Sequence, residues 1–290
     1  MKDNKKHKKA EYGILITGLI ILLAATCVIA LCAGQYSVSV PEVIKILASR
    51  FVNVTKTWSN TAEGVVFTLR LPRIIGAVLV GSALSLSGAA YQGVFKNPLV
   101  APDLLGVSSG ACVGASVAIL LHLNSFGVQA MAFVAGILAV GLTLFIPRLI
   151  KNTNMTMLVL SGIIVKGIMD SVMGIIKYVA DPETELQSIT YWQLGSLTKV
   201  LPKDLFTVGP VIVAASVIIF LLRWRINILS LGDREAKTLG VSVTVVRNFI
   251  IICATLLTAS AVCISGTIGW IGLVIPHFAR MLTGPDNTKV

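Results

Sequence analysis

Eight apolar runs dominate the chain, near residues 13 to 34, 72 to 92, 106 to 122, 127 to 147, 156 to 178, 204 to 222, 248 to 264 and 267 to 282. A hydrocarbon core about 30 Å thick takes about 20 residues of helix to cross. Lipid offers no partner for a backbone N–H or C=O, so a spanning segment must satisfy its own, as a helix does. The reading is an all-α polytopic membrane protein with eight spans. Composition agrees, with 55% hydrophobic and 13% charged residues and mean hydropathy +0.87, which excludes a soluble domain with an ordinary polar surface.

The formal charge of +11 does not point to nucleic acid, because the basic residues stand in short clusters between apolar runs. Eight of the 24, Lys45, Arg50, Lys56, Arg70, Arg73, Lys177, Lys199 and Lys203, fall on one side, Lys166 lies within a span, and fifteen gather in the leader MKDNKKHKK and at Lys96, Arg148, Lys151, Arg223, Arg225, Arg234, Lys237, Arg247, Arg280 and Lys289. Those segments are all cytoplasmic if the N-terminus is inside, as the positive-inside rule prefers. The leader runs into an apolar stretch long enough to be a retained span rather than a cleaved signal. Cys27, Cys32, Cys112, Cys253 and Cys263 lie in or beside apolar runs without C-x-x-C spacing, and read as small hydrophobes.

Residues 70 to 114 are the most organised stretch. Ala77, Gly81, Ser85 and Ala89 recur every four residues and form one small-residue stripe, where another helix backbone can come close. Gly106, Gly110 and Gly114 repeat the device after a break. Within the break Pro98 and Pro102 each lack a donor and drive Asn97 and Ala101 out of helical geometry. The Asn97, Pro98, Leu99 turn is therefore a re-entrant element or a loop between spans.

The order of these blocks carries a resemblance. R-L-P-R from Arg70, G-x-x-L-x-x-S-G-x-x-x-Q from Gly81, and F-x-N-P-L-x-x-P-x-x-L-G-V-x-x-G-A from Phe95 are similar to the FecCD family, the membrane permeases of binding-protein-dependent ABC importers for iron–siderophore complexes, haem and cobalamin. Three later strings resemble it too: Y-W-x-x-G-S-L from Tyr191, L-G-D-x-x-A-x-x-L-G-V from Leu231, and G-x-I-x-W-I-G-L-x-x-P-H-x-x-R from Gly266, with Trp270 where the family usually has phenylalanine. The resemblance covers about residues 13 to 290 of what is read as one permease domain, 1 to 290. The family typically has ten spans, so the resemblance implies a chain truncated at its C-terminus.

What the resemblance implies is specific. Residues 228 to 247 would hold the coupling loop that seats on an ATP-hydrolysing subunit, with Leu231, Gly232, Asp233, Ala236, Leu239, Gly240 and Val241 carrying the match. The residues alone allow Asp233 to cap a short helix, Ala236 and Leu239 to share its apolar face, Gly240 to end it and Ser242 to cap a second helix. Asn97, Pro98 and Leu99 would lie at the inner closure, as a gate. Arg70 and Arg73 would face a substrate-binding protein outside the membrane; as residues they are either interfacial anchors or carboxylate captors. Partners would be a second permease, as homodimer or pseudo-dimer, two ATPase subunits holding ATP and Mg, and the binding protein. The site would be the cytoplasmic membrane of a bacterium, and the cargo first an iron–siderophore complex, with cobalamin or haem as alternatives.

Other readings stay open on the residues. Lys166 and Asp170 stand four apart in a span, on one face, and either neutralise each other within the helix or line a pathway. As a titrating pair they could instead serve an ion-coupled secondary transporter. Tyr191 and Trp192 belong either to the pathway mouth or to the interfacial belt. An apolar set Val43, Ile44, Ile46, Leu47 and Phe51 suggests a short interfacial helix, and His277 reads as a packed residue rather than a metal ligand. No phosphate-cradling G-x-x-x-x-G-K-[ST], zinc motif or nucleophile elbow is present, so the expectation is a transport subunit with no cofactor or metal of its own and no enzymatic chemistry.

Overall fold

The computed structural model describes residues 2–152, 154–284 and 286–287, and those residues form helices without strands. Six of the helices are long and apolar enough to cross a membrane. They are α1 (Lys2–Cys32), the continuous helical stretch made of α3 (Asn60–Gly64), a π-helical segment (Val65–Arg70) and α4 (Leu71–Phe95), then α6 (Ser125–Leu149), α7 (Met155–Val179), α9 (Pro202–Leu231) and α11 (Val243–Ser265). Between them lie the short α2 (Val40–Ala48), α5 (Val107–Leu120), α8 (Glu185–Gln193), α10 (Asp233–Thr238) and α12 (Ile271–Thr283).

Two of the eight expected spans are shorter than read. The helices α5 and α12 have 14 and 13 residues, about 21 and 20 Å at 1.5 Å per residue, less than the hydrocarbon thickness. The causes are local. A 3₁₀ turn at Pro102–Leu105 and the left-handed Gly106 (φ 79°) delay the start of α5. Left-handed Gly266 (φ 68°) ends α11, and Trp270 (φ 70°) sits just before α12.

Contacts divide the described residues into two compact units. The first, Met1–Ala77 with Val200–Leu205, has its own small core. There Val43 and Ile46 of α2 pack with Leu31, Trp58, Ala62 and Val66. The apolar face of α2 is thus narrower than its sequence suggests, since Ile44 and Phe51 are exposed. Asn60 starts a helix because the Ser59 hydroxyl accepts from the Ala62 N–H at 3.0 Å, an N-cap. Most of α1 is exposed along its apolar length, as suits a helix whose solvent is lipid.

The second unit, Val78–Lys199 with Phe206–Val290, is organised around α11, which is buried along most of its length. Small residues set its helix approaches. A side chain at Gly110 or Gly114 would strike α6 at Ala135, Ala139 or Met131, so these two glycines let α5 and α6 touch along their backbones. The other stripe behaves differently. Gly81 faces open space, Ser85 and Ala89 line a groove of about 440 Å³, and the tight contact of α4 is made by Gly88, against the Gly272 carbonyl of α12. Buried hydroxyls add polar ties across the same core: Tyr91 with Thr255 at 2.9 Å, Thr258 to Ser87 at 3.0 Å, and Thr143 to the Leu105 carbonyl at 3.0 Å. The cysteines form no disulfide among the described residues, with Cys112, Cys253 and Cys263 buried and Cys27 and Cys32 half-buried.

Candidate functional site

A cavity of about 290 Å³ with charged and hydroxyl groups in its wall lies in the second unit, lined by Asp103 of the 3₁₀ turn, Ser108, Ser109 and Cys112 of α5, Lys166 and Asp170 of α7, and Thr267, Ile268, Gly269, Trp270 and Gly272 leading into α12. The break between α4 and α5 places Asp103. Its Oδ1 accepts from the Ser108 N–H at 3.0 Å and so holds the start of α5. Its Oδ2 accepts from Lys166 Nζ at 2.9 Å. Lys166 therefore bridges to another element rather than closing on Asp170 within its own helix. Asp170 lines the same cavity one turn further along α7. An ion pair among apolar helices is expensive unless it is hydrogen-bonded and wet, and here both charged groups are partly exposed to the cavity.

Tyr191 and Trp192 fall elsewhere. They line a second cavity of about 220 Å³ with Gln129, Ser188, Ser196 and Lys199, and Lys199 Nζ stands 4.4 Å above the Tyr191 ring centre. The four expected pathway residues thus divide between two cavities. The helix α8 and the turn after it separate these cavities: Gln193 lines the first and accepts from Lys177 at 2.6 Å, while its carbonyl accepts from the Thr267 hydroxyl.

At Asn97, Pro98 and Leu99 the chain makes a compact turn. Lys96 adopts φ 54°, the Asn97 N–H returns to the Gln92 carbonyl at 3.2 Å, and the Asn97 side chain accepts from the Leu99 N–H at 2.9 Å. Leu99 is 75% exposed. Behind this turn lies a polar hub that spacing alone did not reveal. The buried Gln92 donates to the carbonyls of Val100 and Leu273 and accepts from Arg280. Arg280 also reaches Asn287, which bonds Asn227. Gln92 and Arg280 are the last residues of two of the ordered motifs, which was the only signal for them. His277, in the same stretch, is exposed rather than packed.

The stretch 231 to 241 departs from its sequence reading in two ways. The carboxylate of Asp233 makes no cap; it receives Arg247 Nη2 at 2.8 and 2.7 Å and Lys96 Nζ at 2.9 Å. A charged acceptor held between two cations outcompetes a local N–H. Burial disfavours its ionisation, but these hydrogen bonds outweigh that and hold the Asp233 carboxyl below the usual carboxylate range. The second departure is Ala236, which is fully buried against its own chain and does not share an outward face with Leu239, 58% exposed. Leu231 and Leu239 are the apolar side chains this region presents outward. Gly240 takes φ 76°, with its N–H on the Lys237 carbonyl and the Val241 N–H on the Ala236 carbonyl, both 3.0 Å. That pair of bonds is a Schellman ending. Ser242 precedes α11 without a side-chain cap.

In the first unit, Arg70 donates to the carbonyls of Leu31 and Cys32, satisfying the last turn of α1, and to that of Tyr36 in the segment that follows. Its guanidinium is engaged within the chain. Arg73 is exposed. Among the described residues no group of three His, Cys, Asp or Glu side chains could hold a metal.

The sequence model of the FecCD transport family matches residues 21–290. The molybdate import system permease protein MolB of Haemophilus influenzae is 37% identical over 281 residues, covering 97% of this chain and 82% of that one. The hemin transport system permease protein HmuU of Yersinia pestis is 35% identical over 250 residues, covering 83% of this chain and 74% of that one. A solved structure described as an inward-facing conformation of a metal-chelate type ABC transporter superposes with a TM-score of 0.84 at 34% identity, covering 96% of this chain and 84% of that one. A cobalamin import permease of Halobacterium salinarum is also among the relatives.

Proposed function

This chain belongs to the FecCD transport family, a multi-span membrane permease of the ABC importer class, and we propose that its cargo is a metal chelate, an iron–siderophore complex in the first instance. The cavity of Asp103, Lys166 and Asp170 carries the reading. It places three ionisable groups from two elements, the 3₁₀ turn and α7, in one partly exposed space among apolar helices, where a pathway for a polar cargo needs them. The likeness to a metal-chelate type transporter and to a hemin permease supports a chelate.

In this reading the N-terminus is cytoplasmic and the protein sits in a bacterial cytoplasmic membrane. It pairs with a second permease, as homodimer or pseudo-dimer, with two ATPase subunits and with an extracytoplasmic binding protein that meets the surface carrying Arg73. Energy enters as ATP hydrolysis on the ATPase, against the exposed Leu231 and Leu239 beside α10, rather than through titration of Lys166 and Asp170. The Asn97, Pro98, Leu99 turn is the gate nearest that contact.

A second reading, a molybdate-like oxyanion, is favoured by Lys166 in the cavity and by 37% identity to MolB over 97% of this chain. The separating experiment screens the partner binding protein against ferric chelates, hemin, cobalamin and molybdate, followed by uptake into proteoliposomes holding the complete complex. Tight binding and ATP-dependent uptake of a ferric chelate are expected. Binding and uptake of molybdate alone would replace the chelate, and uptake that survives removal of ATP would replace the ABC reading with the ion-coupled one.

A further inference from the structure

The carboxylate of Asp233 joins three separate elements at one point. Arg247, one turn into α11, is 8% exposed and gives Asp233 two contacts through Nη2, so it is a fixed anchor. Lys96, on the residue before the Asn97, Pro98, Leu99 turn, reaches the same carboxylate at 2.9 Å from a side chain about one-third exposed. The chain supplies no shorter route between α10 and that turn: 137 residues separate Lys96 from Asp233 in sequence. The Schellman ending at Gly240 and the burial of Ala236 fix the rest of α10 against the core. A displacement of α10 therefore pulls on α11 through a pair whose Arg247 is buried, and on the turn through a pair in which both side chains are partly exposed. The second is the weaker, because a partly exposed ion pair in high dielectric is held by little free energy.

We propose that Asp233 is a positioning residue that links α10 to the Asn97, Pro98, Leu99 turn through Lys96, so that movement of α10 by a docked ATPase opens and closes that turn. The inference rests on the reading of α10 as the ATPase contact and of residues 97 to 99 as the gate. It adds the physical connection between them. Arg247 keeps α10 on the membrane body in every state, while the Lys96 pair is the detachable joint.

The test uses the complete complex of permease, ATPase and binding protein in proteoliposomes, with Lys96→Gln and Lys96→Arg made alone and on a Leu99→Cys background. Two quantities are read: cargo taken up per ATP hydrolysed, and the nucleotide dependence of maleimide labelling at position 99. Lys96→Gln is expected to lower uptake per ATP by at least about fivefold, the low end of allosteric coupling, and to make labelling independent of nucleotide. Lys96→Arg, which keeps the charge within reach of Asp233, should restore both. A Lys96→Gln complex with unchanged uptake per ATP and nucleotide-dependent labelling overturns the link. So does one that assembles and hydrolyses ATP poorly while its uptake per ATP stays normal, since that is a packing role only. Wild-type complex that shows no ATP-coupled uptake overturns the permease reading itself and this inference with it.

Discussion

Arg70 and Asp233 hold helix ends in opposite ways. Arg70 spends its guanidinium on neutral backbone carbonyls, Leu31 and Cys32 in the last turn of α1 and Tyr36 just beyond it. Asp233 spends its carboxylate on two cations carried by different elements. The first arrangement closes a terminus and gains nothing by letting go. The second can release one partner, because Lys96 and the carboxylate are partly exposed and can be re-solvated when the elements part, while the buried Arg247 stays in place. One region is a seal and the other is a joint, although both are built from the same charge-assisted hydrogen bonds.

The contrast breaks most readily at the seal. Arg70→Ala strips donors from the last carbonyls of α1 and should cost about 1.5 to 3 kcal/mol, the range for hydrogen bonds to charged groups. Thermal unfolding in detergent should fall accordingly, with little dependence on salt. A drop that disappears in high salt would make the contribution of Arg70 a screened surface charge rather than hydrogen bonds to the end of α1.

A smaller effect is expected at Gly240. Valine there would have to adopt φ near 76°, a left-handed conformation that costs a β-branched residue about 1 to 2 kcal/mol. Hydrogen exchange across residues 233 to 241 should speed up while the spans stay protected. Unchanged exchange would mean that α10 does not depend on its glycine stop.

The smallest effect concerns pH at the joint. The Asp233 carboxyl is held below its ordinary value in the fold, so its contribution is complete above the unfolded carboxylate pKa of about 3.9 and is lost only as pH falls through the lower, folded value. Exchange of residues 233 to 241 should be flat, apart from its chemical pH dependence, from pH 8 to pH 5. A protection loss centred near pH 6 would assign the joint to another group.

The two regions were unequally legible in the sequence. The long spans were readable because each is a continuous apolar run, and the turn at Asn97 to Leu99 because Pro98 and Pro102 punctuate it. The stretch 60 to 70 was not, since Val65, Val66 and Thr68 are β-branched and hide a helical segment behind strand-like chemistry. Nor was the continuation of α9 to Leu231, where Ile226, Ile228 and Leu229 are buried in the core and carry the helix past its apolar run. Site pairings were the least legible. Lys166 has Asp170 in sequence range but takes Asp103, and Gln92 finds Arg280 188 residues away. Spacing along one helix cannot rank partners brought in by tertiary packing. Ala236 failed for the same reason: helical spacing placed it beside Leu239, whereas the core covers one and leaves the other bare.

Whether ATP hydrolysis reaches this permease beside α10 is decided at Leu239. It is exposed and lies outside the chain's own core, so Leu239→Glu should leave insertion, thermal stability and binding-protein association intact. Co-purification of the ATPase with that variant, measured together with ATP-dependent uptake, should fall steeply. Full ATPase association and normal uptake by Leu239→Glu would contradict the account.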